Sequence, residues 1–304
     1  MPDLSGLSAA QLHTFATVVE EGTIEAAAAE LGVTGSAVSQ RLKALEAHVG
    51  AVLLQRTKPV ALTEVGEIVH RLALQYAIAA HDAEAALDAR THVRGFTRVA
   101  IVVNADAMAT WILPALEEVA RSRRLLLDIV REDEQQAADY LQRGIAMAAV
   151  SSAPAGAPGT TAQHLGTWRY WPLAHPRFSA AHFPRGLTAR AVGRAPVLRY
   201  DPRDTIPLDF LARELGEPAD PPAHFIPEAR QLVLGAARQL GWTLATAPFR
   251  RLVPGSSVLR PIPGTEPYDV DLYWHQWTMH SPTLDALAGA VHAAAADSEL
   301  QRDW

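Results

Sequence analysis

Residues 23–49, TIEAAAAELGVTGSAVSQRLKALEAHV, constrain this chain more than any other stretch. Ile24, Ala27, Ala28 and Leu31 fall on one apolar stripe of a helix. Gly32 and Val33 interrupt it, and Thr34 follows, a residue whose hydroxyl accepts an unpaired N–H at the start of a second helix. Val38, Leu42, Leu45 and Val49 give that second helix its buried stripe. The opposite face then carries Ser36, Gln40 and Lys43, flanked by Ser39 and Arg41. Short hydrogen-bonding side chains suit base edges, and cations behind them suit phosphates. Two short helices around a glycine-containing turn make a helix-turn-helix, so the sequence predicts a reader of double-stranded DNA.

The flanking residues extend that unit. Ser8 and Gln11 have capping-box spacing, and Leu12, Phe15, Ala16 and Val19 form the stripe of a first helix ended by Glu21-Gly22. After the second helix of the motif, LLQRTKPVAL (53–62) sets short apolar pairs around a basic tip, which predicts a two-stranded wing. Arg56, Thr57 and Lys58 at the tip join Thr34, Ser36, Ser39, Gln40, Arg41 and Lys43 as candidate DNA contacts.

The net charge of −6 argues against general nucleic-acid coating, but its distribution favours a local site. Residues 1–40 hold five acids and no Lys or Arg, whereas residues 41–58 hold Arg41, Lys43, Arg56 and Lys58 against Glu46 alone. Both lysines of the protein lie in that window. The chain has no cysteine, which excludes disulfides, thiolate ligands and thiol redox sensing. Its twelve histidines show no close metal-ligand spacing and read as scattered surface residues, so neither metal nor cofactor is expected. No apolar run reaches the ~18–20 residues of a membrane span, and the N-terminus does not read as a secretory signal. A cytoplasmic protein is expected.

Thr63 can cap a long helix over roughly 64–89, whose stripe is Val65, Ile68, Leu72, Tyr76, Ala79, Ala83 and Leu87. A stripe about 40 Å long needs covering, and pairing with the same helix of a second subunit is the economical solution. Packing against the chain's own C-terminal half is the competing one. From residue 97 strands and helices alternate: TRVAIVV, a helix over MATWILPALEEVA, LLLDIV, a helix over DEQQAADYLQRG, and IAMAAV. Alternation of this kind predicts a parallel α/β sheet. Later strand candidates WRYWPLA, APVLRY and VDLYWHQW, with helices near 206–215 and 228–240 and a closing helix from Thr283, suit two α/β lobes around a ligand cleft.

With these elements in this order the whole chain resembles the LysR-type transcriptional regulators. TGSAVSQRLKALE (34–46) resembles their recognition-helix segment, and LLQRTKPVALTEVG their wing and linker. Where that family often carries Gln, this chain has Gly35, which shifts base reading onto Ser36, Ser39 and Gln40. NADAMATWILPAL (104–116), REDE (131–134) and LYWH (272–275) resemble the branch that senses lysine or arginine and controls basic amino-acid export; Ala107 replaces its more usual serine. The resemblance implies a winged helix-turn-helix over 1–63, a linker over 64–90 and an effector domain over 91–304. Its first lobe would take about 91–161 and 267–304, and its second about 162–266. It also implies a homodimer or homotetramer acting with RNA polymerase at a promoter.

Strand ends in open α/β sheets are where ligands bind, which singles out Asn104, Asp106, Ala107 and Met108. An amino acid's α-carboxylate is expected on the backbone N–H groups near Ala107 and Met108. Its cationic end would need carboxylates, for which Glu132, Asp133, Asp201 and Glu228 are candidates. Trp168, Tyr170 and Trp171 line either the cleft or the core. An α/β enzyme is the alternative, but no G-x-S-x-G, P-loop or dinucleotide fingerprint is present. A transport solute receptor would not carry a DNA reader.

Overall fold

A computed structural model describes residues 6–55, 57–87, 96–131 and 137–297. Three helices, α1 (Ala9–Glu21), α2 (Ile24–Glu30) and α3 (Gly35–Val49), pack around fully buried Phe15, Val38 and Leu45. Each starts where a hydroxyl takes up an orphan N–H: Ser8 in a complete capping box, Thr23, and Thr34. Val38, Leu42, Leu45 and Val49 are all buried, as the α3 stripe predicts. The wing follows as β1 (Leu54–Gln55) antiparallel to β2 (Ala61–Leu62). Gly22 ends α1 at φ +71°, and a Cβ there would lie 3.0 Å from Pro59 Cβ, so this turn needs glycine for both its backbone and the seating of the wing.

The linker α4 (Glu64–Leu87) begins where Thr63 Oγ1 accepts from Gly66 N at 3.0 Å. Its buried face is divided between two cores. Val69 and Ala73 join the reader's core, while Ile78 joins that of the C-terminal half. There Asp82 accepts from Ser281 Oγ at 2.5 Å and from Thr283 N and Oγ1 at 3.2 and 2.5 Å.

The C-terminal half starts with β3 (Thr97–Val103), α5 (Ala105–Thr110), α6 (Ile112–Ser122), β4 (Leu125–Arg131), α7 (Ala137–Gln142) and β5 (Ala148–Ser151). Both β3 pairings, to β4 and to β5, are parallel, as strand–helix alternation requires. The long β6 (Thr160–Ala174) leads into α8 (Pro176–His182), α9 (Ala189–Val192), β7 (Val197–Arg199), α10 (Ile206–Leu215), β8 (Ala223–Phe225) and α11 (Ala229–Ala237). Then come β9 (Thr243–Thr246), α12 (Phe249–Leu252), β10 (Arg260–Pro261), β11 (Tyr268–Trp277) and α13 (Pro282–Asp297). One curled sheet runs β10-β6-β11-β5-β3-β4, with β9 also on β6. β6 and β11 are therefore shared: Thr160–Tyr170 pairs with β11, and Tyr170–Ala174 reaches β9 and β10. Lobe I packs around Ile101, Ile112, Trp274 and Leu287, lobe II around Phe210, Trp242, Leu232 and Phe249.

Three sequence expectations change. The helix over 108–120 is two, broken at Trp111. Pro114 cannot donate in a helix interior, so α6 restarts just ahead of it with the proline in its first turn. WRYWPLA is only the end of β6, whose half-exposed first part carries no apolar alternation. His70, His81 and His275 are buried rather than on the surface.

Candidate DNA interface and effector cleft

On α3 the side chains opposite the buried stripe are available. Ser36, Gln40 and Lys43 are exposed, and Ser39 lies partly buried beside them. Thr34 Oγ1 accepts from Ala37 N at 3.2 Å and shares a 2.9 Å hydrogen bond with Ser36 Oγ, so the cap also orients the first reading side chain. Arg41 also makes a bond within the reading unit: its Nη1 donates to Thr14 Oγ1 at 3.2 Å, which draws the guanidinium toward α1. Gly35 has ordinary helical backbone, and a Cβ there would meet only Ile24 Cγ2 at 3.9 Å. Packing therefore does not demand glycine, and what it alters lies on the outer face. Thr57 and Lys58 are exposed on the wing tip, with Thr57 Oγ1 donating to Pro59 O at 2.7 Å; Arg56 lies outside the described residues.

The linker presents a second surface. Its face toward the chain's own domains is Val69, His70, Ala73, Ile78 and His81. The stripe read from the sequence points the other way: Val65, Ile68, Tyr76 and Leu87 are 36, 57, 46 and 77% exposed, and only Leu72 is half-covered. An apolar stripe left uncovered along a helix of 24 residues is an association surface.

Between the lobes lies a cavity of about 110 Å³. Asn104 and Asp106 line it from the carboxyl end of β3, Arg131 from the end of β4, and Tyr170 from β6. Tyr200, Asp201, Arg203 and Asp204 come from the loop after β7, with Leu198, Leu232, Thr243 and Leu244 behind them. The lobes also touch at the rim. Arg131 Cζ stands 4.5 Å from the Tyr200 ring centroid, and Arg230 Nη2 donates to Ala109 O at 3.1 Å.

Asp106 faces this cavity as an acid held well above its usual range. Loss of hydration pushes its pKa up to about 6; the Tyr170 hydroxyl donating to it opposes the rise, and nearby Asp204 adds to it. Asp204 escaped the sequence reading because it sits in a turn, DPRDT, with no pattern to mark it. The carboxyl of Asp201 behaves otherwise. Burial pushes it up, but the N–H and guanidinium of Arg203 outweigh that and hold it below the usual range.

The expected carboxylate dock on the α5 backbone is corrected. Ala107 N donates to Asn104 Oδ1 at 2.8 Å and Met108 N to Asn104 O at 3.1 Å, so both donors are used within the helix. Ala107 is fully buried in the lobe I core, and Met108 lines a neighbouring hollow instead. Glu228 lines that hollow too, its carboxylate capping α11 by accepting from Arg230 N at 3.1 Å and Gln231 N at 2.9 Å. Glu132 and Asp133 lie outside the described residues. Trp168 and Tyr170 are core side chains, and Tyr170 alone of the three aromatics also lines the cleft. Among the described residues no group of His, Asp and Glu could hold a metal ion, and no helix is long and apolar enough to cross a membrane.

A winged reader, a linker with one bare apolar stripe and a two-lobed domain with a cleft define a ligand-responsive DNA-binding regulator. The model of the bacterial regulatory helix-turn-helix proteins of the lysR family matches residues 9–67. LysG of Mycobacterium tuberculosis, named an HTH-type transcriptional regulator, is 38% identical over 301 residues, spanning 97% of this chain and 94% of the relative. The lysine export transcriptional regulatory protein LysG of Corynebacterium glutamicum is 33% identical over 94% of this chain and 97% of its own. The crystal structure of ArgP from Mycobacterium tuberculosis superposes with a TM-score of 0.83 at 35% identity, covering 98% of this chain and all of that one. Full-length Corynebacterium glutamicum LysG with bound effector Arg gives 0.72 at 30% identity, covering 96 and 99%. The chain belongs to the LysR family. It is a DNA-binding transcriptional regulator, not an enzyme.

Proposed function

We propose that this regulator takes lysine or arginine as its effector in the cavity between the lobes and controls a gene for export of basic amino acids. The observation that carries the reading is a pair of carboxylates, Asp106 from lobe I and Asp204 from lobe II, converging on one cavity. An acid whose ionisation a neighbouring carboxylate opposes is relieved by a cation, so an ammonium or guanidinium group between the two draws the lobes together. Tyr170 orients the first acid, and Asp201 holds the loop of the second through Arg203. The arginine bound to Corynebacterium glutamicum LysG and the lysine-export name of that relative agree with this chemistry.

The reading unit to residue 63 contacts an operator through Ser36, Ser39, Gln40 and Lys43 on α3, with Thr57 and Lys58 on the wing. The linker of residues 64–90 pairs through its bare stripe, giving a cytoplasmic dimer or tetramer that fits a pseudo-palindromic site and meets RNA polymerase there. Fluorescence anisotropy on the region upstream of a neighbouring exporter gene tests the DNA half. Gln40→Ala should abolish operator-specific binding, and unchanged binding contradicts the assignment.

A further inference from the structure

Three consecutive residues of lobe I hold three positions of the linker helix. Arg143 Nε donates to Glu67 Oε1 at 2.8 Å. The Gln142 carbonyl accepts from Arg71 Nη1 at 3.0 Å. His70, buried beside this turn, has its pKa lowered by burial, an effect that the nearby Gly144 carbonyl partly offsets. Gly144 has φ +70°, and a Cβ there would lie 2.7 Å from Arg71 Cβ and 3.0 Å from its Cα, so the turn lies against the linker backbone itself. The reader also touches this region: His70 meets Phe15 of α1 edge-on at 6.2 Å, and Glu20 of α1 is ion-paired with Arg98 of β3. The turn is tied to lobe I through Leu141, whose carbonyl accepts from Trp277 Nε1 at 3.1 Å.

The element ending in this turn is also next in the chain to the cleft. Arg131, which lines the cavity and lies over Tyr200 of the other lobe, is the last residue of β4, and α7 with its closing turn is the next described element. From these contacts we infer that the turn Gln142–Gly144 is the latch that positions the DNA reader on the effector domain. Resting on the effector reading above, the latch is also the contact through which lobe closure alters operator affinity. Latched, the reader is held before it meets DNA; unlatched, it must be ordered on binding, and the cleft no longer biases it. Arg143, Glu67 and Gly144 are positioning residues here, since none is placed against DNA or effector.

Truncation suits the test better than charge reversal, because Arg143 also reaches Asp139 at 3.3 Å and a reversed charge would repel it. Operator affinity of the full chain is measured by anisotropy, without amino acid and with arginine, for wild type, Glu67→Gln, Arg143→Met, the double variant and Gly144→Ala. Arginine binding without DNA is measured by calorimetry on the same proteins. Each single variant is expected to bind arginine within about threefold of wild type, to lose at least about fivefold in apo operator affinity, and to bring the ratio of affinities with and without arginine close to one. The double variant should lose no more than either single. Gly144→Ala opens the contact from the other side and should do the same. Losses that simply add, or single variants with wild-type operator affinity and ratio, overturn the latch. Wild type that binds neither arginine nor lysine in the calorimeter removes the proposed effector instead, and the apo operator affinities still decide the latch.

Discussion

Arg199 and Asp204 are joined through the main chain: Arg199 Nε and Nη2 donate to the Asp204 carbonyl at 2.9 and 2.7 Å. Arg199 is only 6% exposed, and the same Nη2 reaches Pro202 O at 2.9 Å. A buried guanidinium fork thus fixes the loop that brings Asp204 to the cleft, while Asp204 Oδ2 accepts from Tyr200 N at 3.0 Å and closes the turn. Arg199→Met should lower effector affinity about tenfold and cost about 1.5–3 kcal/mol of stability, the range for a hydrogen bond to a charged group. Arg199→Lys should not rescue affinity, because an ammonium cannot reproduce the fork. Calorimetry and thermal denaturation of both variants check this.

The raised pKa of Asp106 sets a pH window. Unfolded, its carboxyl titrates near the usual aspartate value of 3.8; folded, it titrates at about 6. Between those values the folded state holds more proton, so this group's contribution falls as pH rises, and the deficit is complete above about 6. Asp106→Asn should therefore raise the melting temperature of the apo protein at pH 7.5 while removing the response to basic amino acids. A cationic ligand selects the ionised acid, so wild-type effector affinity should fall about tenfold from pH 7 to pH 5. Calorimetry across that range measures it.

Arg41 and Lys43, two residues apart, should separate in the salt dependence of operator binding. Lys43→Ala removes an exposed cation and should reduce the slope of log affinity against log salt by about one. Arg41→Ala removes the bond to Thr14 and should lower the melting temperature of the reading unit, with a smaller effect on that slope. Anisotropy titrations at several salt concentrations decide between them.

The bare stripe of α4 makes a prediction about assembly. Ile68→Glu with Tyr76→Glu places charge on residues that are 57 and 46% exposed in the single chain. The substitution should leave the folded subunit intact and yield monomers in sedimentation velocity, with operator affinity falling by at least about tenfold as the second reader is lost.

The reader was legible residue by residue because its constraints are local: three hydroxyl caps, an apolar stripe of period 3.6 and a glycine stop are all written within a few positions. The linker stripe was legible for the same reason, but the opposite face was not, since buried His70 and His81 interrupt the apolar run of Val69, Ala73 and Ile78 there. The parallel strands of lobe I followed from alternation. The shared strands did not, because β6 is half exposed on its way between lobes. In the cleft, Asp106 could be placed by its position at a strand end. Asp204 and Arg131 are brought there by folding alone, and Glu228 caps α11 beside the neighbouring hollow; a helix cap and a ligand acid look alike in sequence.

The central claim is that the acids of the cleft select a basic amino acid. A thermal-shift panel of the twenty amino acids on the full chain tests it most directly. Lysine or arginine at ~100 times its dissociation constant should stabilise the fold by about 2.7 kcal/mol, a rise of roughly 5–10 °C for a domain of this size. The neutral and acidic amino acids should leave the melting temperature where it was. A panel in which neither lysine nor arginine moves it, or in which an acidic amino acid moves it most, contradicts the account.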